Sequence, residues 1–470
     1  MSGTIVVIGG GFSGTLVAAN LLRAATGVRV ILVNRSGWMA RGVAYGTRTE
    51  AHVLNVPAGR MSAYAGDDEH FLRFARERDP SVTGGTFVAR RLYGEYLEAV
   101  LEEAEAGAAP GSTLEHRVDH VLDVQPDGTG ARVRVAGGET IVADRVVLAL
   151  GNFAPAHPRV ADSSFYARSP RYVRDPWRPG ALNGVAPDCP VLLLGTGLTM
   201  IDVLLDLRAR GHRGPVTAIS RRGLMPLAHR EHTAHPTREH LPPDLADGPA
   251  TARAYLRSVR RHVRTVAAQA LDWREVIAAL RPLTVALWKR LPVAERRRFL
   301  RHVGVYWDVH RHRAAPQLSA RLAGLVAEGQ VQPQAGRVLA YAEREGGVDV
   351  TFHPRGAAEP TTLTVGAVIN CTGPASDPRT LEEPLLQAMS ARGLLARDPL
   401  GLGIEVGDGY AVRDAEGRDS EVLFYVGPFL KARDWEATAV PELRVHAAKL
   451  AEVLATSLNQ AAADPALASA

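Results

Sequence analysis

The stretch Thr4-Ile5-Val6-Val7-Ile8-Gly9-Gly10-Gly11-Phe12-Ser13-Gly14 near the N-terminus decides the fold of this chain. Its first five residues are typical of a buried strand, and the apolar pattern of residues 15–23 predicts a helix. In such a unit Gly9 permits the tight turn, Gly11 lets a pyrophosphate approach the backbone, and Gly14 lets the helix pack on the strand. The helix start offers free N–H groups to phosphate. The stretch predicts a dinucleotide-binding loop, with a purely structural glycine turn as the alternative.

A second copy of this unit begins near residue 191. Strand-like residues 191–194 run into Gly195-Thr196-Gly197-Leu198-Thr199-Met200, a helical pattern follows, and another strand covers 216–220. Methionine stands where the third glycine is expected. Hairpin strands and a closing strand end each copy, at 118–124, 131–135 and 144–151 in the first and at 337–344, 348–352 and 367–373 in the second. Two such copies predict two Rossmann-like domains.

Two dinucleotide loops in one chain indicate a flavin reduced by a nicotinamide, because a dehydrogenase that uses a nicotinamide alone needs only one. FAD is expected at the first loop and NADPH, or NADH, at the second. The predicted fold class is α/β, with two Rossmann-like, three-layer dinucleotide-binding domains, the first discontinuous and the second with a helical insertion in or beside it. A strand at 422–426 and a helix at 441–454 would complete the first domain. The predicted ranges are 1–160 with 365–460 for the FAD-binding domain, 185–364 for the NAD(P)-binding domain, about 250–315 for the insertion, and 461–470 for a flexible tail.

Residues that would hold the riboses follow the second strand of each copy. An acid is expected there, about 20 positions past the last glycine. Asn34 stands there in the first copy, beside Arg35. Ser220, Arg221 and Arg222 stand there in the second copy. Arginine at this place favours the 2′-phosphate of NADPH over the hydroxyl of NADH, and a solvated basic loop is the alternative.

Composition excludes several classes of protein. The chain has 470 residues, 46% hydrophobic and 22% charged, which suits two or three globular domains. Its two cysteines, Cys189 and Cys371, form no Cys-x-x-Cys pair, which argues against disulfide reductases of this architecture. The net charge of +5 indicates either arginine-rich codon usage or attraction of anionic ligands, and no nucleic-acid-binding motif accompanies it. Short apolar runs and the lack of a signal peptide lead us to expect a cytoplasmic protein with no membrane or nucleic-acid partner.

A cluster of polar and aromatic residues near position 310 raises the question of a metal site. Its members are His302, Tyr306, Trp307, Asp308, His310, Arg311, His312 and Arg313. Two histidines two positions apart do not share one helical face, and no further ligands follow at a suitable spacing. No metal is therefore expected, and the cluster is either structural or a contact for substrate or NADPH.

Several further stretches carry a family resemblance that spans almost the whole chain. Besides the two glycine loops they are GVAYG at 42–46, HVLNVPAGRMS at 52–62, FVARRLYG at 87–94, DPW at 175–177, YWDVHRHR at 306–313 and WEATAVPELR at 435–444. The chain resembles the two-dinucleotide-binding-domain flavoproteins, in particular the FAD-NAD(P)-binding family related to single-component flavin monooxygenases and N-hydroxylases. The resemblance implies that residues 52–61 lie against the isoalloxazine and the pyrophosphate.

Three side chains take roles from this resemblance, each with a plainer alternative. Asn55 is the candidate polar contact at the flavin and the candidate catalytic residue, or else it simply forms a turn. Arg60 would face a phosphate or a substrate carboxylate, or else form a surface ion pair. Thr438 would mark a helix start near the flavin pyrimidine, or serve as an ordinary cap. The full set of candidate cofactor-binding residues is Gly9, Gly11, Phe12, Ser13, Gly14, Asn34, Arg35, Asn55, Arg60, Gly151, Gly195, Gly197, Leu198, Thr199, Ser220, Arg221, Arg222, Gly373, Gly427 and Thr438.

The leading hypothesis is an FAD-dependent, NADPH-using monooxygenase that N-hydroxylates a small amine or amino acid. Such an enzyme would act with O2 through a flavin C4a-(hydro)peroxide and would need no protein nucleophile, and the sequence has no GxSxG or HExxH motif that would supply one. One alternative is an NAD(P)H-dependent flavin dehydrogenase or reductase with an acceptor other than O2. A second is a non-catalytic dinucleotide-binding sensor. The oligomeric state and the substrate stay open.

Overall fold

The computed structural model describes residues 3–230 and 240–463 and shows two compact units. The first unit is drawn from Met1–Arg48, Val56–Asn152 and Ser376–Ala470, and the second from Thr49–Asn55 and Phe153–Ala375. These boundaries differ from the predicted ones at 160 and 365. The strand at Ala367–Asn370 pairs with Val191–Leu194, so it belongs to the second unit and not to the predicted 365–460 segment. Residues 49–55, predicted within the first domain, also belong to the second unit.

The strands alternate with helices in the order of two βαβ units, which is the basis of the fold. In chain order they are β1 (Thr4–Ile8), β2 (Arg29–Val33), β3 (Thr113–Arg117), β4 (Val121–Asp127), β5 (Gly130–Val135), β6 (Thr140–Ala143), β7 (Arg145–Leu148), β8 (Tyr172–Val173), β9 (Val191–Leu194), β10 (Val216–Ser220), β11 (Val331–Arg344), β12 (Gly347–Pro354), β13 (Thr361–Val365), β14 (Ala367–Asn370), β15 (Ala411–Arg413) and β16 (Asp419–Tyr425).

The helices include one after each glycine loop and, among the described residues, a group of six between β10 and β11. In chain order they are α1 (Phe12–Ala24), α2 (Gly42–Tyr45), α3 (His70–Arg78), α4 (Arg90–Ala106), α5 (Ser164–Arg168), α6 (Leu198–Ala209), α7 (Ala252–Ala267), α8 (Trp273–Ala279), α9 (Thr284–Arg290), α10 (Val293–His302), α11 (Gly304–Arg311), α12 (Pro316–Ala327), α13 (Pro384–Ala391) and α14 (Val440–Ala463). Short 3-10 turns lie at Ala58–Arg60, Arg281–Leu283, Pro378–Thr380 and Pro428–Ala432.

The first unit is built on a sheet with the strand order β3-β2-β1-β7-β16-β15. Its central strands run parallel and are apolar and buried except at their starts, as expected for strands covered on both faces. Helix α1 packs against α4 and α14, while a separate three-stranded sheet, β4-β5-β6, contacts β1 and β7. This arrangement of helices, large sheet and small sheet agrees with the predicted three-layer domain, and the return of β16 and α14 makes the unit discontinuous as predicted.

The second unit has a single seven-stranded sheet in the order β13-β12-β11-β10-β9-β14-β8. Its hairpin is continuous with the parallel sheet because β11 pairs with β10 at its start and with β12 over the rest of its length. In the first unit the equivalent stretch of chain is interrupted at residues 118–120, so that β3 pairs in the large sheet and β4 in the separate small sheet. The predicted strands at 118–124 and 337–344 were therefore wrong at their starts, because apolar alternation does not reveal which neighbour a long strand pairs with.

Helices α7 to α11 fill the range predicted for the helical insertion. They pack on one another around a small apolar core of Leu245, Ile277 and Leu280, joined by Trp273 and Trp307. Helix α14 extends past the predicted end at 454 and includes residues 461–463 of the predicted tail, while residues 464–470 of that tail lie outside the described residues. In the part of the chain that the structure covers, no helix is both long and apolar enough to cross a bilayer.

Candidate dinucleotide-binding sites

The first glycine loop joins β1 to α1 through backbone that only glycine accommodates. Gly9 has a φ of 112°, in the left-handed region, and a Cβ there would lie 2.2 Å from the carbonyl oxygen of Ala149. A Cβ on Gly14 would lie 1.9 Å from the carbonyl oxygen of Gly9. Gly9 therefore permits the turn against β7, and Gly14 permits α1 to approach the turn.

The second loop repeats the geometry of the first almost residue for residue. Gly195 has a φ of 111°, and a Cβ there would lie 2.5 Å from the carbonyl oxygen of Cys371. The helix caps also agree, with φ and ψ of −86° and −166° at Gly11 and −85° and −165° at Gly197. The N–H groups of Gly9 and Gly195 donate to the second strand of their own sheet at 2.8 and 2.7 Å. The predicted internal repeat is thus a repeat of backbone geometry.

Met200 marks a clear difference between the loops, because it occupies the position of Gly14. The N–H of Thr15 donates to the carbonyl of Gly11 at 2.9 Å, whereas the equivalent bond from Ile201 to Gly197 is stretched to 3.4 Å. The methionine side chain prevents the helix from seating as closely on the turn. The second loop is also more open, since Gly197 is exposed and Leu198 and Thr199 are half-buried, while Phe12 and Ser13 are buried.

Both helix starts fit the phosphates of a dinucleotide. Neither α1 nor α6 has a side-chain cap, and neither carries an acidic residue in its first turn. The N–H groups and the positive end of each dipole therefore face no competing carboxylate of the helix itself. Together with the glycine positions that a Cβ would fill, this is the chemistry that a pyrophosphate requires.

A cover over the first loop was not assigned from the sequence, although its residues belong to the quoted family stretches. Gly42, with a φ of 58°, approaches Gly11 closely: a Cβ added to Gly11 would lie 3.4 Å from the Cα of Gly42. The rings of Phe12, Tyr45 and Tyr93 pack together, with centroids of the two tyrosines 4.6 Å apart. The Tyr93 hydroxyl is buried without a hydrogen-bond partner among the described residues, so it is a polar group that a bound dinucleotide could satisfy.

Asn34 lies beside the first loop, at the end of β2. A Cβ on Gly10 would lie 2.9 Å from the Cβ of Asn34, so the two residues are in direct proximity. Both amide hydrogens of Asn34 are used, one donated to Ser36 Oγ at 3.0 Å and one to the carbonyl of Trp38 at 2.6 Å. Its carbonyl oxygen remains as an acceptor, which is the function that the expected acid would perform for a ribose hydroxyl. Arg35 instead forms an ion pair with Glu383 at 2.9 Å.

The residues after β10 divide into structural and accessible groups. The Thr196 hydroxyl donates its one hydrogen to the carbonyl of Leu224 at 2.5 Å. In the contact between Thr196 and Ser220, at 2.8 Å, the Ser220 hydroxyl is therefore the donor. Arg222 stacks over Tyr306 at 4.8 Å and donates to the carbonyls at the end of α10. Arg221 is exposed, with no hydrogen bond or ion pair among the described residues. Ser220 and Arg222 therefore hold the loop together, and Arg221 is the group open to a 2′-phosphate.

The remaining candidates lie at the ends of strands or near helix starts. Gly151, Gly373 and Gly427 follow β7, β14 and β16, with φ values of 69°, 86° and 138°. Arg60 ends the 3-10 turn at Ala58–Arg60 and is half-buried. Thr438 is exposed two residues before α14, and its N–H donates to the carbonyl of Glu436 at 2.7 Å. Gly151 and Gly373 lie at the closing turns expected for the two copies, and Gly427 follows the later strand β16.

Asn55 belongs to the segment 49–55, which lies within the second unit. Its backbone carbonyl accepts a hydrogen bond from His229 Nε2 at 3.0 Å, and its carboxamide has no partner among the described residues. Upstream, His52 Nε2 donates to the carbonyl of Asp202 at 3.2 Å, and its ring packs on Trp177. Asp202 is buried in the second turn of α6. A contact with a ligand needs a carboxamide that is free to form hydrogen bonds. An asparagine that only forms a turn does not need one.

The cluster near position 310 is spread over several contacts. Tyr306 supports Arg222, Trp307 joins the helical core, and the ring of His310 packs against Trp273 with centroids 4.9 Å apart. Within residues 3–230 and 240–463, no three histidine, cysteine or acidic side chains are grouped so that they could hold a metal ion. Arg313 lies near His229 and Arg274.

The two cysteines lie at opposite ends of two neighbouring strands, β9 and β14. Cys189 precedes β9, whereas Cys371 follows β14, and the register aligns Asn370 with Leu194. The four-residue strands β9 and β14 lie between the two levels, a rise of about 13 Å. Burial raises the pKa of both thiols. The two cysteines cannot form an intrachain dithiol pair without rebuilding the sheet, because a disulfide needs Cα atoms within about 7 Å.

Comparison with known proteins agrees with this geometry. Residues 6–153 match the family model described as FAD-NAD(P)-binding, which confirms the cofactor class predicted for that segment. Over 97% of its length the chain is similar to the whole of an ornithine hydroxylase from Pseudomonas aeruginosa, with a TM-score of 0.65 and 16% identity. It is similar over 97% of its length to the whole of an L-lysine 6-monooxygenase from Pseudomonas syringae, with a TM-score of 0.64 and 17% identity.

A disulfide reductase shares the architecture as well. The chain is similar over 97% of its length to 99% of a bacillithiol disulfide reductase from Bacillus cereus, with a TM-score of 0.54 and 15% identity. At these identities the likeness shows the fold, and it confirms the predicted α/β class with two Rossmann-like domains. Residues 6–153 thus carry the FAD-NAD(P)-binding family's domain, and the chain as a whole has the fold of the two-dinucleotide-binding-domain flavoenzymes.

Proposed function

We propose that this protein is an FAD-dependent monooxygenase that uses NADPH to hydroxylate the nitrogen of a small amine or amino acid. The reaction consumes one amine, O2, NADPH and a proton and yields the hydroxylamine, NADP+ and water. The observation that carries the proposal is the pair of matching glycine loops, each opening an uncapped helix of eight residues or more. The amine hydroxylases of the same fold supply the reaction type.

The two loops suit different modes of binding. The first is covered by Gly42 and lined by buried Phe12 and Ser13, which suits FAD held as a resident group. The second is more open and has the looser helix start, which suits a nicotinamide that binds and leaves. Arg221 supports NADPH over NADH. A cytoplasmic location belongs to the same proposal, because NADPH is regenerated there.

The protein's own groups would bind, orient and shield. A bound flavin supplies the redox chemistry, accepting a hydride from the nicotinamide and reacting with O2. The N–H groups at the start of α1 would hold its pyrophosphate, and the Asn34 carbonyl oxygen would accept from its ribose. Asn55, whose carboxamide is unengaged within the described chain, is our candidate for the polar contact at the ring, and Arg60 and Thr438 are secondary candidates.

A reductase with an acceptor other than O2 is the second candidate, supported by the reductase of the same fold. A reductase that uses a dithiol is disfavoured, because Cys189 and Cys371 lie at opposite ends of the neighbouring strands β9 and β14. A flavin dehydrogenase that needs no cysteines stays open. Its distinguishing property is turnover with a quinone or protein acceptor in the absence of O2.

The test compares three measurements on one preparation. We expect purified protein to retain or take up FAD, to oxidise NADPH only in the presence of an amine and O2, and to form a hydroxylamine in proportion. NADPH oxidation that proceeds without oxygen uptake and without hydroxylamine would reject the monooxygenase and favour the reductase. A protein that binds FAD but is not reduced by NADPH or NADH would instead indicate a sensor. A Gly184→Ala variant, whose added Cβ meets nothing within 4 Å, should give the same three results as the parent protein and so controls for a glycine substitution as such.

A further inference from the structure

An arginine-rich site surrounds His229 in the second unit, outside both glycine loops. The segment 227–229 is fixed by backbone hydrogen bonds to Val309 and Ala314. His229 Nε2 then donates to the carbonyl of Asn55 at 3.0 Å. Because a carbonyl can only accept, Nε2 carries the proton. This contact links the site to the residue that we place at the flavin ring.

Positive charge dominates the surroundings of His229. Burial is the first reason that the pKa of His229 falls to about 3, and the nearby guanidinium groups of Arg313, Arg311 and Arg274 lower it further. His229 is therefore neutral at physiological pH. The side chain acts as a hydrogen-bond donor to Asn55 and adds no charge to the site.

The charges of this site do not balance within the described chain. Arg230 pairs with Asp272 at 2.7 Å and with Glu275 at 3.2 Å, and Arg274 pairs with Asp272 at 3.0 Å. Three guanidinium groups, those of Arg230, Arg274 and Arg313, are thus matched by two carboxylates, those of Asp272 and Glu275. The local excess of positive charge would be neutralised by an anion.

Arg313 is the group most in need of such an anion. Its guanidinium has no hydrogen bond or ion pair in the described part of the chain, and its Nε is buried. Its guanidinium carbon lies 5.9 Å from the centroid of the Trp273 ring. Burial, followed by the charges of Arg311 and Arg274, lowers the pKa of Arg313 to about 10, so the cation persists at a cost. A half-buried guanidinium whose Nε has neither solvent nor a hydrogen-bond partner is costly unless a ligand satisfies it.

We infer that Arg313, beside Asn55 and His229, forms a binding site for the carboxylate of an amine substrate. The planar guanidinium fork matches a carboxylate with two parallel hydrogen bonds. The phosphates of the cofactors have other partners, namely the helix starts of α1 and α6 and the exposed Arg221. The inference rests on the proposed function and narrows it, because it assigns the substrate to the amino acids and excludes simple diamines.

Matched ligand pairs test the site without turnover. L-Lysine and L-ornithine differ from cadaverine and putrescine only in the carboxylate. In thermal unfolding of the FAD-loaded protein we expect each amino acid to raise the melting temperature in a concentration-dependent way, and its decarboxylated counterpart to have less effect. Equal or greater stabilisation by the diamines in both pairs would overturn the carboxylate assignment while leaving the monooxygenase proposal intact.

Variants then assign the effect to a residue. In Arg313→Met we expect the KM for the amino acid, or its Kd from the melting shift, to rise about 10- to 100-fold, with kcat changed less. Arg313→Lys keeps the charge but loses the guanidinium fork, so its KM for the amino acid should lie between those of the parent and of Arg313→Met. Arg253→Met removes an exposed arginine of α7 and should change neither quantity. Removing an unpaired, half-buried cation should not lower the melting temperature of the ligand-free protein.

Two outcomes would reject the site. One is an Arg313→Met protein that binds the amino acid as tightly as the parent does. The other is a variant whose KM rises for NADPH and not for the amino acid, which would assign Arg313 to the nicotinamide cofactor. NADPH-driven reduction of FAD, measured in the same samples, reports separately on the proposed function.

Discussion

Substituting Gly14 by alanine tests whether close seating of α1 on the turn is required to bind FAD. The added Cβ would lie 1.9 Å from the Gly9 carbonyl oxygen, and real Cβ contacts under 3.0 Å are essentially never seen. The helix start must therefore move by about 1.1 Å or more, because the atom it meets belongs to the backbone and cannot swing away.

The expected energies separate an effect on folding from an effect on binding. Overpacking of this kind costs about 1–3 kcal/mol, and alanine recovers about 1 kcal/mol through its higher helix propensity. The net loss of stability is about 0–2 kcal/mol, so the variant should fold. A displaced helix start misaligns at least one charge-assisted hydrogen bond to phosphate, about 1.5–3 kcal/mol. We therefore expect the Kd for FAD to rise about 10- to 100-fold.

Fluorescence titration of FAD into the apoprotein measures this Kd, and thermal unfolding of the same samples measures stability. Gly184→Ala is the matched control, since its Cβ meets nothing within 4 Å and its φ is not positive. We expect it to bind FAD as the parent does. A Gly14→Ala protein with the parent's Kd and melting temperature would show that close packing of α1 is not needed, and would refute the argument.

The remaining predictions concern the second unit. Gly197→Ala adds a Cβ that meets nothing within 4 Å, so stability and FAD binding should not change, but the KM for NADPH should rise about tenfold as the methyl group blocks the phosphate; an unchanged KM would place the phosphate elsewhere. Arg221→Met should raise the KM for NADPH about tenfold and leave that for NADH unchanged, whereas equal effects on both would contradict recognition of the 2′-phosphate. Because burial lowers the pKa of His229 from 6.5 to about 3, protonation favours the unfolded chain, and folded stability contributed by this group is lost as pH falls from 6.5 towards 3. His229→Gln, whose amide can still donate to Asn55, should lose less stability than the parent over that interval in urea titrations at a series of pH values; identical pH profiles would show that His229 is not buried in its neutral form.

Much of the fold could be predicted because the decisive signals are local. A five-residue strand, three glycines at fixed spacing and the start of a helix fit within residues 4–14, and each part has a backbone requirement that shows in residue type. The second copy was recognisable for the same reason, even with Met200 in place of a glycine. The structure adds only the consequence of that methionine, a helix start stretched to 3.4 Å at Ile201.

The roles of individual polar side chains depended on contacts between distant parts of the chain. Arg35 pairs with Glu383, 348 positions away, and the carbonyl of Asn55 is bound by His229, 174 positions away. The sequence placed Arg35 and Arg222 at the ends of the right strands but could not show that each already has partners within its own unit. Arg313 stood in the sequence as one member of a polar cluster, and only the tertiary structure shows that its guanidinium has no hydrogen bond or ion pair in the described chain, while nearby Arg230 and Arg274 are paired.

Residue type and spacing by themselves determined the two dinucleotide loops, the α/β class and the lack of a redox cysteine motif, because each follows from short-range backbone geometry and from composition. Tertiary structure alone decided the boundary between the units at residue 375, the continuous path of β11, and which cations are paired. Those features depend on strand pairing and on burial, and both are set by residues far apart in the chain whose packing no local pattern encodes.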